Sequence, residues 1–141
     1  DDLRLVIFVP DVRISTDDAR GVLPSVVSIN DAVYNASRVG LLVAGMLTDH
    51  VEYFRYSVQD KLHQPYREQL FPAMKVIFKA ADDAGALGVF LSGSGSTIMA
   101  LTKGREMTVA YEMGEAARQT GVVGELRIAK PVYEGASVIN D

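Results

Sequence analysis

Two short segments each place an arginine four residues after a side chain that could share its face. In "STDDAR", Thr16 precedes Arg20, and in "LHQPYR", His63 precedes Arg67. Residues four apart lie on one side of a helix, and two arginines aimed at one point can bind a carboxylate or phosphate through planar, bidentate hydrogen bonds. The simpler interpretation makes each arginine a solvated surface cation, His63 a partly buried structural residue, and Thr16 a helix N-cap.

A glycine- and serine-rich loop lies in "GVFLSGSGSTIMAL", residues 88–101. It lacks the lysine that ends a Walker loop, and Ile98 stands where a dinucleotide fingerprint needs its third glycine. The alternating, β-branched start of "TIMAL" predicts a strand after the loop. We therefore predict a strand–turn–strand unit. Gly93 and Gly95 could bring backbone N–H groups close to an anion, although a plain hairpin turn is the simpler interpretation.

Composition excludes several classes of function. The net charge of −4, without a Lys/Arg cluster, argues against a nucleic-acid-binding surface. There is no cysteine, so disulfides and thiolate metal sites are excluded. The two histidines, His50 and His63, are too few and too far apart for a histidine-built metal site. No metal site is therefore expected in these residues.

The sequence also shows neither a membrane-spanning segment nor a signal peptide. The longest apolar stretch, residues 39–47, is too short to span a bilayer, and nothing resembles a signal peptide. We therefore expect a cytoplasmic protein without membrane contact. The chain opens "DDLRLVIFVP", with no methionine and with a strand almost at once, which we interpret as part of a longer protein.

The hydrophobic pattern predicts one domain over residues 1–141, with the order strand, several helices, two strands, helix, strand. Collapsing the helices gives the α+β, ferredoxin-like βαββαβ plan, an antiparallel sheet with helices on one face. The predicted strands lie at 3–10, on both sides of the glycine loop, and at 124–134, where Pro131 indicates an edge strand. The predicted helices are a short one from Thr16 to Gly21, a long one after Ser28, one at 51–62, one that starts at Pro65 and again at Pro72 and ends at Gly85, and one at 105–121. The packing face predicted for the long helix consists of residues 29, 33, 36, 40, 43 and 47.

Taken in order, "STDDARGVLP", "DAVYNASRVGLLVAGM", "DKLHQPYREQLFPAM" and "GALGVFLSGSGSTIMAL" resemble the C-terminal half of the homoserine kinase family, within the GHMP superfamily of small-molecule kinases. The resemblance covers nearly the whole chain, and the closing "PVYEGASVI" fits it. It implies a GHMP kinase C-terminal domain. It also implies transfer of the ATP γ-phosphoryl group to the side-chain hydroxyl of L-homoserine, on the route to threonine. ATP and Mg²⁺ would be bound mainly by an N-terminal domain absent from these residues.

The same resemblance implies a role for each candidate residue. Arg20 and Arg67 would hold the carboxylate of the amino-acid substrate, with His63 at the same substrate site. Thr16 would lie near the reacting hydroxyl and phosphoryl group, as the catalytic position. Gly93 and Gly95 would border the substrate and support the phosphate loop.

Two departures from the family pattern matter. The family's phosphate loop, Pro-x-x-x-Gly-Leu-Gly-Ser-Ser-Ala, appears nowhere in these residues, so the isolated chain is expected to be inactive. The third motif usually ends Gly-Pro-Thr, whereas this chain has Gly95, Ser96 and Thr97. Losing proline frees one φ angle and adds a backbone donor, which affects the shape of the loop.

Two alternatives stay open. One is a GHMP kinase for another small alcohol, although an arginine pair suits an amino-acid carboxylate better than a sugar. The other is a non-catalytic ferredoxin-like module that binds an amino acid or mediates dimerisation, and a homodimer is compatible with every interpretation. An upstream Gly-Leu-Gly-Ser-Ser segment in the full-length gene would favour the kinase.

Overall fold

A computed structural model describes residues 2–132, 134, 135, 137 and 138. The described elements follow the predicted order. The strands are β1 (Leu3–Pro10), β2 (Gly88–Leu91), β3 (Ile98–Lys103) and β4 (Gly124–Ala129); the helices are α1 (Thr16–Gly21), α2 (Ile29–Thr48), α3 (Phe54–Ser57), α4 (Gln64–Arg67), α5 (Ala73–Asp83) and α6 (Glu106–Gln119), with one 3₁₀ turn at Val51–Tyr53.

The four strands form one antiparallel sheet in the order β2-β3-β1-β4. The apolar strand β1 is central: Val6 lies opposite Ala100 of β3 and opposite Ile128 of β4. The βαββαβ plan and the edge position of β4 are thereby confirmed. The predicted extent of β4 is wrong, because the strand ends at Ala129 before Pro131, which has no N–H to continue a ladder. Tyr133, in the predicted strand, lies outside the described residues.

The hydrophobic core lies between the sheet and helices α5 and α6. Alternate residues of β1 point to it, because successive strand side chains face opposite sides of a sheet. Val6 and Phe8 are at most 2% exposed, and Ile77 of α5 and Met113 of α6 are fully buried against them. Complete burial of each such side chain contributes about 1.5–3 kcal/mol, so this layer fixes the scaffold.

The long helix α2 begins as predicted, but its packing face is wrong. Ser28 accepts a hydrogen bond from the backbone N–H of Asp31 at 3.1 Å and caps the helix. The face predicted to be buried is exposed: Val33 by 59%, Val43 by 50% and Leu47 by 82%. The helix contacts the 3₁₀ turn and α3 instead. The amphipathic pattern identified an apolar face without showing what covers it.

A cleft of about 630 Å³ separates α2 from the sheet face opposite the core. Leu5 and Met99 line it from the sheet, and Leu42 and Met46 line it from α2. The expectation that all helices lie on one face is therefore wrong, because α2 lies on the sheet face opposite α5 and α6. None of the helices in the described part of the chain has the length and apolar character needed to cross a bilayer.

The helix predicted at 51–62 is interrupted. The chain forms the 3₁₀ turn, continues as α3, and leaves the helical path after Ser57. Residues 58–63 are a loop that leads to α4, and Asp60 in this loop accepts hydrogen bonds from the backbone N–H groups of His63 and Gln64. These bonds satisfy donors at the start of α4, which explains why α4 begins as a separate helix.

Candidate functional site

Helix α1 carries two of the candidate residues on an exposed surface. Ser15, and not Thr16, is the N-cap: its hydroxyl accepts from the backbone N–H of Asp18 at 3.0 Å. Thr16 is the first helical residue, and its side chain is exposed. Arg20 lies in the last turn, also exposed, and pairs with none of the described residues. Thr16 and Arg20 are therefore accessible to a ligand.

Arg67, the last residue of α4, joins three segments of the chain. Its Nε donates to the carbonyl oxygen of Ala19 in α1 at 3.2 Å. Its Nη1 donates to the carbonyl oxygen of Gly93 in the glycine loop at 2.8 Å, and lies 3.1 Å from Nδ1 of His63. The guanidinium thus brings "STDDAR", "LHQPYR" and "SGSGST" together. None of the described residues accepts a hydrogen bond from Nη2.

The contact with Arg67 defines the tautomer of His63. A guanidinium has donors only, so Nδ1 of His63 must be the acceptor and the ring proton is on Nε2. That Nε2 lies 3.5 Å from Oδ1 of Asp60. His63 is therefore held between a carboxylate and a guanidinium in its neutral form.

The glycine loop is the predicted strand–turn–strand unit. The backbone N–H of Ser92 donates to the carbonyl of Thr97 at 2.9 Å, which closes the turn between β2 and β3. Gly93 and Gly95 have φ of 59° and 84°, in the left-handed region that favours glycine. A Cβ on Gly93 would meet no atom within 4 Å, so the space beside this backbone is open.

Ser96 ties the glycine loop to the segment before α1. Its hydroxyl donates to the carbonyl oxygen of Val12 at 2.5 Å, and the residue is 8% exposed. This bond uses a side-chain donor that the proline of the usual third motif would lack. The loop is therefore anchored from both sides, to Val12 through Ser96 and to α4 through Arg67.

Sequence reasoning missed a buried polar cluster behind these residues. The Asp60 side chain is 6% exposed, and its carboxylate accepts from Asn35 Nδ2 at 2.6 Å, from the His63 N–H at 2.8 Å and from the Gln64 N–H at 2.6 Å. The Gln64 side chain accepts from the N–H of Leu91, next to the glycine loop, at 2.9 Å. The only sequence signal was one Asp and one Gln flanking the histidine of "DKLHQPYR".

Burial and hydrogen bonding shift the pKa values of this cluster. Burial alone raises the pKa of Asp60, but the two backbone N–H donors and Asn35 outweigh it and hold the pKa below its usual range. Burial lowers the pKa of His63, Arg67 lowers it further, and Asp60 opposes the shift. Both directions agree with the geometry: an ionised carboxylate faces a neutral imidazole.

The candidate residues divide between two surfaces. His63, with Asp60 and Gln64, lines the cleft under α2. Thr16, Arg20, Arg67, Gly93 and Gly95 do not line it. Among the described residues, no group of three or more His, Cys, Asp or Glu side chains could hold a metal ion. The arrangement offers two guanidiniums and an open glycine backbone, which suits binding of a small anionic ligand.

Comparison with known proteins finds similar chains. A homoserine kinase from Moorella thermoacetica is 43% identical over 134 residues, which are 95% of this chain and 45% of that protein. A homoserine kinase from Aquifex aeolicus is 38% identical, over 98% of this chain and 47% of that protein. The crystal structure of homoserine kinase from Cytophaga hutchinsonii superposes with a TM-score of 0.87 at 34% identity, covering 92% of this chain and 42% of that one.

The chain spans about half the length of the curated relatives it matches. The family model described as "GHMP kinases C terminal" matches residues 47–119, from the end of α2 to the end of α6. This range contains Asp60, Arg67 and the glycine loop. The chain therefore belongs to the GHMP kinase C-terminal family.

Proposed function

We propose that this chain is the C-terminal, substrate-binding half of a homoserine kinase, and that residues 1–141 form one domain of that enzyme. The observation that carries the proposal is the junction at Arg67, which joins the three segments that resemble the family. Relatives with this name at 38% and 43% identity over nearly the whole chain support the same substrate. The proposed enzyme acts in the cytoplasm, where ATP is supplied.

The proposed reaction joins the side-chain oxygen of L-homoserine to the γ-phosphorus of ATP, breaks the bond to the β–γ bridging oxygen, and releases ADP. The hydroxyl proton leaves to a base outside this chain or to solvent. Such transfers depend on positioning and charge stabilisation more than on covalent catalysis. The task of these residues is therefore to hold the amino acid so that its hydroxyl is in line with the phosphoryl group.

Each candidate residue has a distinct part in this positioning. Arg20, with its guanidinium free, binds the substrate carboxylate through a planar pair of N–H groups. Arg67 contributes Nη2 to the same carboxylate while its other donors fix α1 and the glycine loop. Thr16 presents its hydroxyl to the reacting end, and His63 orients Arg67. Gly93 and Gly95 keep the backbone beside the substrate open.

ATP and Mg²⁺ would be bound mainly by the part of the longer protein that precedes this chain. Among the described residues, no group of three or more His, Cys, Asp or Glu side chains could by itself hold a metal ion. We therefore assign no step of the reaction to the metal through these residues. The open backbone at Gly93 supports the phosphoryl end of the site, and the exposed face of α2 leaves a homodimer among the proposed assemblies.

The test is a coupled ADP-release assay on the full-length gene product, with L-homoserine, a sugar and a hydroxy acid without an amino group as acceptors. Turnover with L-homoserine well above the other two supports the proposal. Preference for another alcohol would identify a different GHMP kinase, and no acceptor-dependent ADP would favour a binding module. The 141-residue chain alone is the matched control, and it is expected to release no ADP.

A further inference from the structure

We propose that Asp60 is a positioning residue for substrate binding, which sets the place of Arg67 through α4 and His63 without touching the substrate. This inference rests on the proposed function. Asp60 lies seven residues before Arg67 in the chain, in the loop after α3. Its carboxylate is buried, and none of the Lys and Arg residues that the structure describes forms an ion pair with it. Such a charge is costly unless hydrogen bonds satisfy it.

Asp60 determines where α4 begins. Its Oδ2 accepts from the N–H groups of both His63 and Gln64, the first donors of a four-residue helix that has no side-chain cap at His63. A helix this short has little stability of its own. These two bonds therefore fix the position of the element that ends with Arg67.

Asp60 also holds its loop against α2. Its Oδ1 accepts from Nδ2 of Asn35, and Oδ1 of Asn35 accepts from the backbone N–H of Lys61 at 2.9 Å. Asn35 therefore anchors the loop through two hydrogen bonds of opposite direction. Asp60 therefore links α2 to the start of α4 through hydrogen bonds.

From α4 the connection reaches the substrate-binding end by two routes. On the first route, His63 lies between Asp60 and Nη1 of Arg67. Arg67 in turn donates hydrogen bonds to the carbonyl oxygens of Ala19 and Gly93. On the second route, Oε1 of Gln64 accepts a hydrogen bond from the N–H of Leu91, the last residue of β2 before the glycine loop. A displacement of α4 would move both the guanidinium of Arg67 and the glycine loop, and a misplacement of about 1 Å at such a site can cost about 100-fold in rate.

The direction of the hydrogen bond between Asn35 and Asp60 allows an experiment in which the two side chains are exchanged. In Asp60→Asn, the amide oxygen can still accept from the two backbone N–H groups, but its NH₂ group then faces the NH₂ group of Asn35. In Asn35→Asp, two carboxylates face each other. Combining both substitutions reverses the Asn35–Asp60 bond and restores the pairs with Asn35, with the N–H of Lys61 and with the two backbone N–H groups of α4. The 3.5 Å contact from Nε2 of His63, too long for a strong hydrogen bond, is the one that is not restored. Asp83→Asn, at an exposed partner of Lys79, is the control for loss of an acidic charge.

Kinetics of the full-length protein give the first measurement. Asp60→Asn is expected to lower kcat/KM for homoserine by about 10- to 100-fold, mainly through KM for homoserine, with KM for ATP within about twofold. The combined variant should return kcat/KM to within about threefold of the unmodified protein. The control should match the unmodified protein in both constants.

The NMR signal of the Arg67 Nε–H group in the 141-residue chain gives the second measurement. The Nε–H group of a hydrogen-bonded arginine gives a signal distinct from that of solvated arginines. Asp60→Asn should move it towards them, and the combined variant should restore it. Unchanged KM and an unchanged Arg67 signal in Asp60→Asn would overturn the inference. The inference would also be overturned by a combined variant that has a normal melting temperature but a kcat/KM for homoserine as low as that of Asp60→Asn.

The proposed function and this inference can fail separately. If the unmodified full-length protein phosphorylates a different alcohol, the proposed function is wrong. The same variants, assayed with that alcohol and by the Arg67 signal, then still decide whether Asp60 positions the site.

Discussion

Nη1 of Arg67 donates to the carbonyl oxygen of Gly93 at 2.8 Å, across 26 positions of the chain. The same side chain reaches Ala19, 48 positions away. One guanidinium thus connects α4, α1 and the glycine loop. Arg67 therefore has a structural role beside the ligand-binding role that we propose for it, whereas Arg20 pairs with none of the described residues.

Replacing Arg67 should impair both folding stability and catalysis. Lysine keeps the charge but cannot offer the planar set of donors that reaches Ala19 and Gly93. We expect Arg67→Lys to lower the unfolding free energy of the chain by about 2 kcal/mol and kcat/KM for homoserine in the full-length protein by about 30-fold or more. Denaturant titration and steady-state kinetics measure the two effects. Arg118→Ala, at an exposed partner of Glu115, should change neither.

Replacing Arg20 should affect binding alone. Arg20 is exposed and pairs with none of the described residues, so its loss breaks no contact within them. We expect Arg20→Ala to raise KM for homoserine by about 10-fold or more without changing the unfolding free energy by more than about 0.5 kcal/mol. An acceptor without a carboxylate should be insensitive to the substitution. Equal losses with that acceptor would show that Arg20 does not bind the carboxylate.

The stability of the chain should fall on mild acidification because of His63. Burial lowers its pKa in the folded state, so the unfolded state binds a proton first as the pH decreases. The stabilisation is complete above the ordinary histidine pKa, about 6.5, and is lost as the pH falls from there through the folded value. Unfolding free energies measured at a series of pH values should show this loss, and His63→Gln should flatten it.

A second loss of stability is expected at lower pH from Asp60. Its hydrogen bonds hold the pKa below the usual range despite burial, so its contribution is complete above the ordinary aspartate pKa, about 4. It is lost as the pH falls through the lower, folded value. Asp60→Asn should remove this acid-side loss, while Asp83→Asn should retain it. An unchanged acid limb in Asp60→Asn would contradict the assignment.

The apolar face of α2 should make the 141-residue chain associate. Val33, Val43 and Leu47 are exposed by 50–82% along one helix, and contiguous apolar patches recruit partners. We expect light scattering to show concentration-dependent assembly and a hydrophobic dye to bind. Combining Val43→Lys with Leu47→Lys should reduce both signals. Met107→Lys, at an exposed methionine on α6, is the matched control, and a monomeric, dye-free chain at high concentration would refute the expectation.

Much of the fold was predictable because it depends on short-range pattern. The continuous apolar run of β1, the cap at Ser28, and the glycine turn between β2 and β3 each occupy a few neighbouring residues whose backbone preferences agree. The arginines were identified as candidates by residue type and by resemblance. Their roles towards a substrate remain predictions.

Tertiary structure decided the features that depend on distant partners. The sequence by itself determined that α2 has an apolar face, but its exposure depends on what packs against it, and helical periodicity carries no information about a partner. Asp60 became a buried centre because Asn35 reaches it from 25 positions away. Local pattern cannot distinguish such an aspartate from a solvated loop residue, since only long-range packing removes the water that would otherwise satisfy its charge.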